Sequence, residues 1–132
     1  MASNKFISRG GDKLQAAIEN FKLKIKDLIV LDVGSSTGGF VDCLIQNGAK
    51  KVYAVDTAYG ELAWKLRKDP RVEVMERTNI LHLTHLPGVQ HLRGEAKESL
   101  GSHLGGETGE EKVDLITIDA GWTKLELILP VV

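Results

Sequence analysis

Short apolar runs and amphipathic stretches alternate along this chain. The runs suited to buried strands lie at residues 28–33, 51–56, 71–76 and 113–119. Apolar positions at helical spacing predict helices over residues 12–22, 39–46 and 61–68, with Gly10 and Gly11 as a flexible entry to the first. Such alternation is typical of parallel βαβ units with right-handed crossovers. The pattern therefore predicts an α/β fold with a partial doubly wound parallel sheet.

The stretch from residue 81 to 112 breaks this pattern, because it contains all four histidines and six glycines. We expect a short helix or loop over residues 80–86 and a mobile segment around residues 101–111. A further helix is expected over residues 123–129, before Pro130. The histidines invite a metal-site hypothesis, but their irregular spacing without a neighbouring cysteine argues against one.

Composition adds limits to this picture. The 132 residues allow one domain, and 42% hydrophobic with 27% charged residues is ordinary for a soluble protein. No apolar run approaches a membrane span, and residues 1–9 lack the apolar core of a secretory signal. The single cysteine, Cys43, excludes an internal disulfide and is expected to be a small buried apolar residue. A cytoplasmic protein without membrane association is predicted.

The net charge of −1 argues against strong general affinity for nucleic acid, but the charge is uneven. Residues 1–26 hold six lysines and arginines against two acidic residues, whereas residues 95–114 hold six acidic residues against two lysines. Residues 1–11 are therefore expected to form a basic linker or arm that could meet phosphates. A solvated helix face is the alternative.

The turn D-V-G-S-S-T-G-G-F, residues 32–40, lies between a predicted strand and a predicted helix. Glycines there let the backbone approach a ligand and leave helix N–H groups facing it. A phosphate-binding P-loop needs lysine after its last glycine, where this chain has Phe40. A dinucleotide fingerprint needs glycine where this chain has Ser36.

Two acidic residues favour a cationic ligand at this turn. Asp32 stands two positions before Gly34, and Asp56 ends the next strand 22 positions after Gly34, where a carboxylate can accept hydrogen bonds from ribose hydroxyls. S-adenosylmethionine carries a sulfonium, an ammonium and a ribose but no phosphate, so it is the predicted cofactor. A tight turn with capping aspartates and no ligand is the alternative.

Four sequence motifs, taken in order along the chain, resemble those of one protein family. They are I-S-R-G-G-D-K-L from Ile7, the glycine-rich turn, V-Y-A-V-D-T-A-Y-G-E-L-A-W-K-L-R from Val52, and E-R-T-N-I from Glu76. The chain resembles the hemolysin A/TlyA proteins, FtsJ-like methyltransferases that methylate ribose 2'-hydroxyls of ribosomal RNA, over residues 5–86 and 113–130. This implies a Rossmann-like methyltransferase fold with strand order 3-2-1-4-5-7-6, of which the first four strands are present.

The resemblance also implies functional residues. Together with Asp32, the implied cofactor contacts are Gly34, Ser35, Thr37, Gly38 and Asp56, with Arg77, Thr78 and Asn79 on the adenine side. Lys13 and Asp119 match the first two members of the family's Lys-Asp-Lys-Glu catalytic set. A ribose hydroxyl is a poor nucleophile and needs a nearby base, and a lysine is one only if its pKa is lowered. An ordinary exposed helix lysine is the alternative for Lys13.

Three departures from the family bear on activity. Lys124 and Glu126 follow Asp119 too closely to replace the set's later lysine and glutamate. Trp122 stands in place of the family's phenylalanine, either as an aromatic face for a base or as a packing residue. The family's N-terminal S4-type RNA-binding domain is not matched. We therefore expect residues 1–132 to be the N-terminal half of a methyltransferase domain, with weak turnover alone.

A non-catalytic module that binds S-adenosylmethionine or associates with RNA is the alternative function. The strand at residues 113–119 carries no lysine or proline to discourage pairing. We therefore expect a homodimer, aggregation or association with a missing C-terminal half, through this edge or through the apolar tail at residues 125–132. A monomer whose tail covers the edge is the alternative.

Overall fold

A four-stranded parallel sheet forms the centre of the molecule. The computed structural model describes residues 5–83, 86–87 and 112–119. The strands are β1 (Ile29–Val33), β2 (Lys51–Val55), β3 (Val72–Met75) and β4 (Leu115–Ile118), in the order β3-β2-β1-β4. The helices are α1 (Arg9–Phe21), α2 (Gly39–Gln46) and α3 (Trp64–Arg67), with a 3-10 turn at Ile80–His82. This confirms the predicted fold class and the order of its first four strands.

Burial explains why β1 lies at the centre of the sheet. All five of its residues are buried, and it pairs with β2 on one side and β4 on the other. Helices α1 and α2 cover one face through Leu14, Ile18 and Leu44, while Leu31 and Tyr53 pack against Ile80 on the other. Each fully buried aliphatic side chain contributes about 1.5–3 kcal/mol. The two apolar faces therefore fix the sheet between two layers.

The start of α1 differs from the sequence prediction. The flexible entry at Gly10 and Gly11 is wrong, because α1 begins at Arg9 and includes both glycines. A Cβ atom on Gly11 would lie 2.4 Å from Cβ of Phe6, and one on Gly39 would lie 2.9 Å from the backbone N of Gly11. The first turns of α1 and α2 thus touch backbone to backbone, which only glycine permits.

The N-terminal segment is joined to the domain from Lys5 onward, because Nε2 of Gln46 donates to the Lys5 carbonyl. Phe6 is 4% exposed and belongs to the core, and the Ile7 N–H donates to Oδ2 of Asp42 over 2.8 Å. Asp42 is buried on α2 and also binds Nζ of Lys65 at 3.4 Å. Of the expected linker or arm over residues 1–11, residues 6–11 therefore pack against α2, and residues 1–4 lie outside the described part.

The third helix is also shorter than expected. Residues 61–63 precede α3, and the Ala63 N–H donates to the carbonyl of Thr37 over 3.0 Å. That bond fixes the chain against the glycine-rich turn before the helix begins. The expected helix over residues 123–129 and the segment around residues 101–111 lie outside the described residues. No helix in the described part is long and apolar enough to cross a membrane.

Candidate functional site

The glycine-rich turn after β1 depends on backbone conformations that favour glycine. Gly34 has φ 81° and Gly38 has φ 104°, both in the left-handed region. The N–H groups of Gly34 and Ser35 both donate to the carbonyl of Val55, at 2.9 and 3.2 Å. Gly38 is the N-cap of α2, and a Cβ there would lie 2.4 Å from Cδ1 of Leu66. The turn is thus held between β2, α2 and α3.

A cleft of about 360 Å³ opens beside this turn, at the ends of β1 and β4. This volume lies in the range typical of small-molecule sites. The first turns of α1 and α2 both border the cleft. Its lining residues are Ser8, Gly10, Gly34, Ser35, Ser36, Thr37, Gly39, Phe40 and Asp119. Ligands of open α/β sheets bind at this end of the strands, so the cleft is the candidate site.

Asp56 lies at the neighbouring strand end, as expected from its spacing to Gly34. Its Oδ2 accepts the Ser36 N–H at 2.5 Å, and its Oδ1 accepts the Ala58 N–H at 2.9 Å. Together with Ser35, Ser36 and Glu76, it lines a narrow recess between the ends of β2 and β3. Each carboxylate oxygen can accept a second hydrogen bond, so Asp56 retains capacity for ligand hydroxyls.

Asp32 lies beneath the turn and does not line the cleft. It is 1% exposed, and its Oδ1 accepts the hydroxyl of Thr117 at 2.7 Å. Its Oδ2 has no hydrogen-bond partner among the described residues. Burial raises the pKa of Asp32 to about 6, against the lowering effect of the Thr117 hydrogen bond, and repulsion from Asp119 and Asp56 adds to the rise.

Lys13 and Asp119, the two residues matched to the catalytic set, lie together. Nζ of Lys13 is 3.9 Å from Oδ2 of Asp119, and the side chains are 71% and 51% exposed. Asp119 is held by its own N–H, which donates to the carbonyl of Val33 at 3.1 Å. The pair connects α1 to the end of β4 beside the cleft.

Arg77, Thr78 and Asn79 border the site through their backbone rather than their side chains. The Arg77 and Thr78 N–H groups donate to the carbonyls of Ala58 and Asp56, at 3.1 and 2.9 Å. The Asn79 side chain accepts the Leu81 N–H and caps the 3-10 turn. None of the three lines the cleft or the recess. The loop therefore lies next to Asp56 with its side chains in local contacts.

The cleft also includes residues at the start of α1 that were not predicted from the sequence. Ser8 and Gly10 line the cleft together with Phe40. The signal was available, because serine before a predicted helix is a favoured N-cap, although Ser8 makes no side-chain capping bond. Thr117 was missed as the partner of Asp32, and its signal was a polar residue within an apolar strand.

The metal hypothesis gains no support from the described part of the chain, where no group of three or more histidine, cysteine or acidic residues could hold an ion. Of the histidines, His82 lies in the 3-10 turn. His85, His91 and His103, like Trp122, Lys124 and Glu126, lie outside the described residues. Cys43 is buried, as expected.

Comparison with known proteins gives consistent matches. A family model described as FtsJ-like methyltransferase matches residues 6–132. YqxC of Bacillus subtilis is 44% identical over 127 residues, which cover 96% of this chain and 38% of that protein. TlyA of Mycobacterium tuberculosis, named a 16S/23S rRNA (cytidine-2'-O)-methyltransferase, is 39% identical over 125 residues, which cover 95% of this chain and 39% of TlyA.

The fold also matches a solved structure. The crystal structure of a protein from Lactococcus lactis superposes with a TM-score of 0.75 at 40% sequence identity. The match covers 98% of this chain and 52% of that protein. The chain thus spans about two fifths of the length of the curated relatives named above.

Proposed function

Because this chain belongs to the FtsJ-like methyltransferase family, we propose that its cleft binds S-adenosylmethionine for methyl transfer to ribose 2'-hydroxyls of RNA, in particular ribosomal RNA. The observation that carries the proposal is the cleft between the glycine-rich turn and Asp119, with Asp56 at the adjacent strand end. The name of TlyA, a relative that methylates cytidine 2'-hydroxyls in ribosomal RNA, supports the substrate class.

The charges around the cleft fit this cofactor. Asp56 and Asp119 follow the ends of β2 and β4, and Asp32 lies in β1 between these two strands. Burial is the main cause of the raised pKa of Asp32, and repulsion from Asp119 and Asp56 adds to it. A ligand with a sulfonium and an ammonium relieves that repulsion, whereas a polyphosphate would increase it. Oδ2 of Asp32 has no hydrogen-bond partner within the described ranges, which fits a cationic group bound above the turn.

The residues that hold the cofactor in this proposal fall into three groups. Gly34, Ser35 and Thr37 contact it from the turn, whose shape Gly38 maintains and whose charge Asp32 supplies from beneath. Asp56 accepts the ribose hydroxyls. The loop of Arg77, Thr78 and Asn79 lies on the adenine side, where its backbone is bound to Asp56 and Ala58.

Lys13 and Asp119 carry the proton transfer in this proposal. When bound, S-adenosylmethionine supplies a methyl group attached to a positively charged sulfur. Nζ of Lys13 accepts the proton of the attacking 2'-hydroxyl, and Asp119, 3.9 Å from that nitrogen, orients it. In the free chain the Lys13 side chain is 71% exposed. Nζ is therefore accessible to the 2'-hydroxyl of a docked RNA strand.

Calorimetry with S-adenosylmethionine or S-adenosylhomocysteine tests cofactor binding. We expect Asp56→Ala to weaken binding by about 1–3 kcal/mol, the scale of lost hydrogen bonds to a charged group. Asp69→Ala is the control, because Asp69 pairs with Arg71 and lines neither the cleft nor the recess. Neither NAD nor ATP should bind, and tighter binding of NAD than of S-adenosylmethionine would overturn the proposal.

Methyl transfer to ribosomal RNA tests the catalytic pair. Whatever the rate of the wild-type chain, we expect Lys13→Met and Asp119→Asn each to lower it, Lys13→Met by about 100-fold or more, the scale of a general base. Lys22→Met, at the other end of α1, should leave the rate unchanged. Transfer that survives Lys13→Met would show that the assigned roles are wrong. Cofactor binding without any transfer would instead support a non-catalytic binding module.

A further inference from the structure

Two aromatic side chains on the surface each carry a cation. The guanidinium of Arg77 lies 4.4 Å from the ring centroid of Tyr59, and Nζ of Lys68 lies 5.4 Å from that of Trp64. Both residues are 68% exposed. Exposed aromatic residues that carry a cation and lie close together in sequence are candidates for contact with a ligand.

Both aromatic residues directly follow, along the chain, a residue that is bound to the candidate site. Tyr59 follows Ala58, whose N–H binds Asp56 and which lines the recess. Trp64 follows Ala63, whose N–H donates to the carbonyl of Thr37 in the cleft wall. Each ring is thus one residue away from a group attached to the site. We call Tyr59, Trp64, Lys68 and Arg77 the rim platform.

The cations of the rim platform have no ion-pair partner among the described residues. Three other basic residues of this region are neutralised, Lys65 by Asp42, Arg67 by Glu76 and Arg71 by Asp69. Lys68 and Arg77 instead contact rings. Glu61 is the one exposed carboxylate between the two aromatic residues in sequence. The surface therefore combines open aromatic faces with two positive charges that are free to meet an anion.

We propose that the rim platform binds unpaired nucleotides of the RNA substrate, with bases stacked on Tyr59 and Trp64 and the flanking phosphates bound by Arg77 and Lys68. A ring has two faces, so a cation on one leaves the other for a base, and every base has a face that stacks on an aromatic ring. Paired bases in a duplex do not offer these faces. This inference rests on the proposed function, because it explains how a single nucleotide is presented to the cleft.

Fluorescence anisotropy with a labelled single-stranded oligoribonucleotide tests the rim platform in the full chain. We expect Trp64→Ala and Tyr59→Ala each to weaken binding about tenfold, the scale of one lost base stack. Trp64→Phe keeps a ring and should retain most of the affinity. Phe21→Ala is the matched control, because Phe21 is 75% exposed at the far end of α1 and should have no effect.

The salt dependence of RNA binding tests Lys68 and Arg77 separately from the rings. We expect Lys68→Gln and Arg77→Gln to reduce the dependence of the affinity on salt by about one phosphate contact each. A duplex of the same sequence should bind more weakly than the single strand and lose nothing in Trp64→Ala. Cofactor affinity, measured by calorimetry, should be unchanged in Trp64→Ala, which separates this inference from the proposed function.

Three outcomes would overturn the rim platform. The first is no detectable binding of the oligoribonucleotide by the wild-type chain, and the second is a Trp64→Ala affinity equal to that of Phe21→Ala. The third is a change of oligomeric state in Trp64→Ala without a change in RNA affinity, which would assign the rings to a protein contact. A different result separates the two proposals. If the wild-type chain does not bind the cofactor but Trp64→Ala still loses tenfold in RNA affinity, the proposed cofactor is refuted and the rim platform is retained.

Discussion

Asp32 is a buried carboxylate whose ionisation opposes folding. Its pKa is raised from 3.8 to about 6, mainly by burial. Because the pKa in the folded protein is above the value in the unfolded chain, the folded protein binds the proton more tightly. The stabilisation from this group is therefore complete below pH 3.8 and is lost as the pH rises to about 6.

Asp32→Asn removes this charge and keeps an oxygen that can accept the Thr117 hydroxyl. We expect its stability relative to the wild type to increase by about 1–2 kcal/mol between pH 5 and pH 8, since only the wild type ionises over that range. Urea unfolding at the two pH values measures the difference. In Asp69→Asn, where Arg71 lowers the pKa of the lost carboxyl, the difference from wild type should not change over this range. A constant difference for Asp32→Asn would contradict the assignment.

The positions of functional residues could be predicted from the sequence only where they depend on local spacing. The spacing from Gly34 to Asp56 gave a carboxylate next to the turn, and the structure joins Asp56 to Ser36. The burial of Asp32 could not be predicted, because its partner Thr117 lies 85 residues away in sequence. The proximity of Lys13 and Asp119 likewise depends on where the fold places α1 relative to the end of β4, and only the resemblance suggested it.

Elements were predicted more reliably than their boundaries. All four strands lie within the predicted apolar runs, because buried parallel strands leave a continuous apolar signature. The start of α1 was missed, because two adjacent glycines weaken helix propensity and the contact that compensates for them is tertiary. The same applies to the start of α3, because Ala63, within the predicted helix, is bound to Thr37 and precedes the observed helix.

The two glycines at the start of α1 should respond oppositely to alanine. Gly11→Ala should destabilise the protein by about 1–3 kcal/mol, because its Cβ would overlap Phe6. Gly10→Ala should be neutral or stabilising by up to about 1 kcal/mol, because its Cβ would be 3.4 Å or more from its neighbours and alanine favours a helix. Urea unfolding of the two variants compares them directly. Equal effects would show that Phe6 does not pack closely against Gly11.

For the whole molecule, the edge of the sheet at β4 is the reason to expect that copies of the chain associate. β4 pairs with β1 on one side, and no described strand pairs with its other side. We predict a dimer or larger assembly at micromolar concentration, measured by light scattering, because an apolar edge without lysine or proline invites pairing. Ile116→Lys should shift the protein towards the monomer, with urea unfolding as a check on folding. A monomer that Ile116→Lys does not alter would show that the edge is covered within the chain.

The pairing of β4 with β1 also affects the order in which the protein folds. The Ile29 N–H binds Asp114 and the Asp32 carboxylate binds Thr117, and each bond closes a loop of 85 residues. Contacts of such long sequence separation form late, because the entropy of loop closure must be overcome first. The turn, Asp56 and α2 can assemble from an early part of the chain, whereas Asp119 joins the cleft only when β4 docks. During refolding, the ability to bind a ligand should therefore appear with the slowest phase, after most of the helical signal has returned.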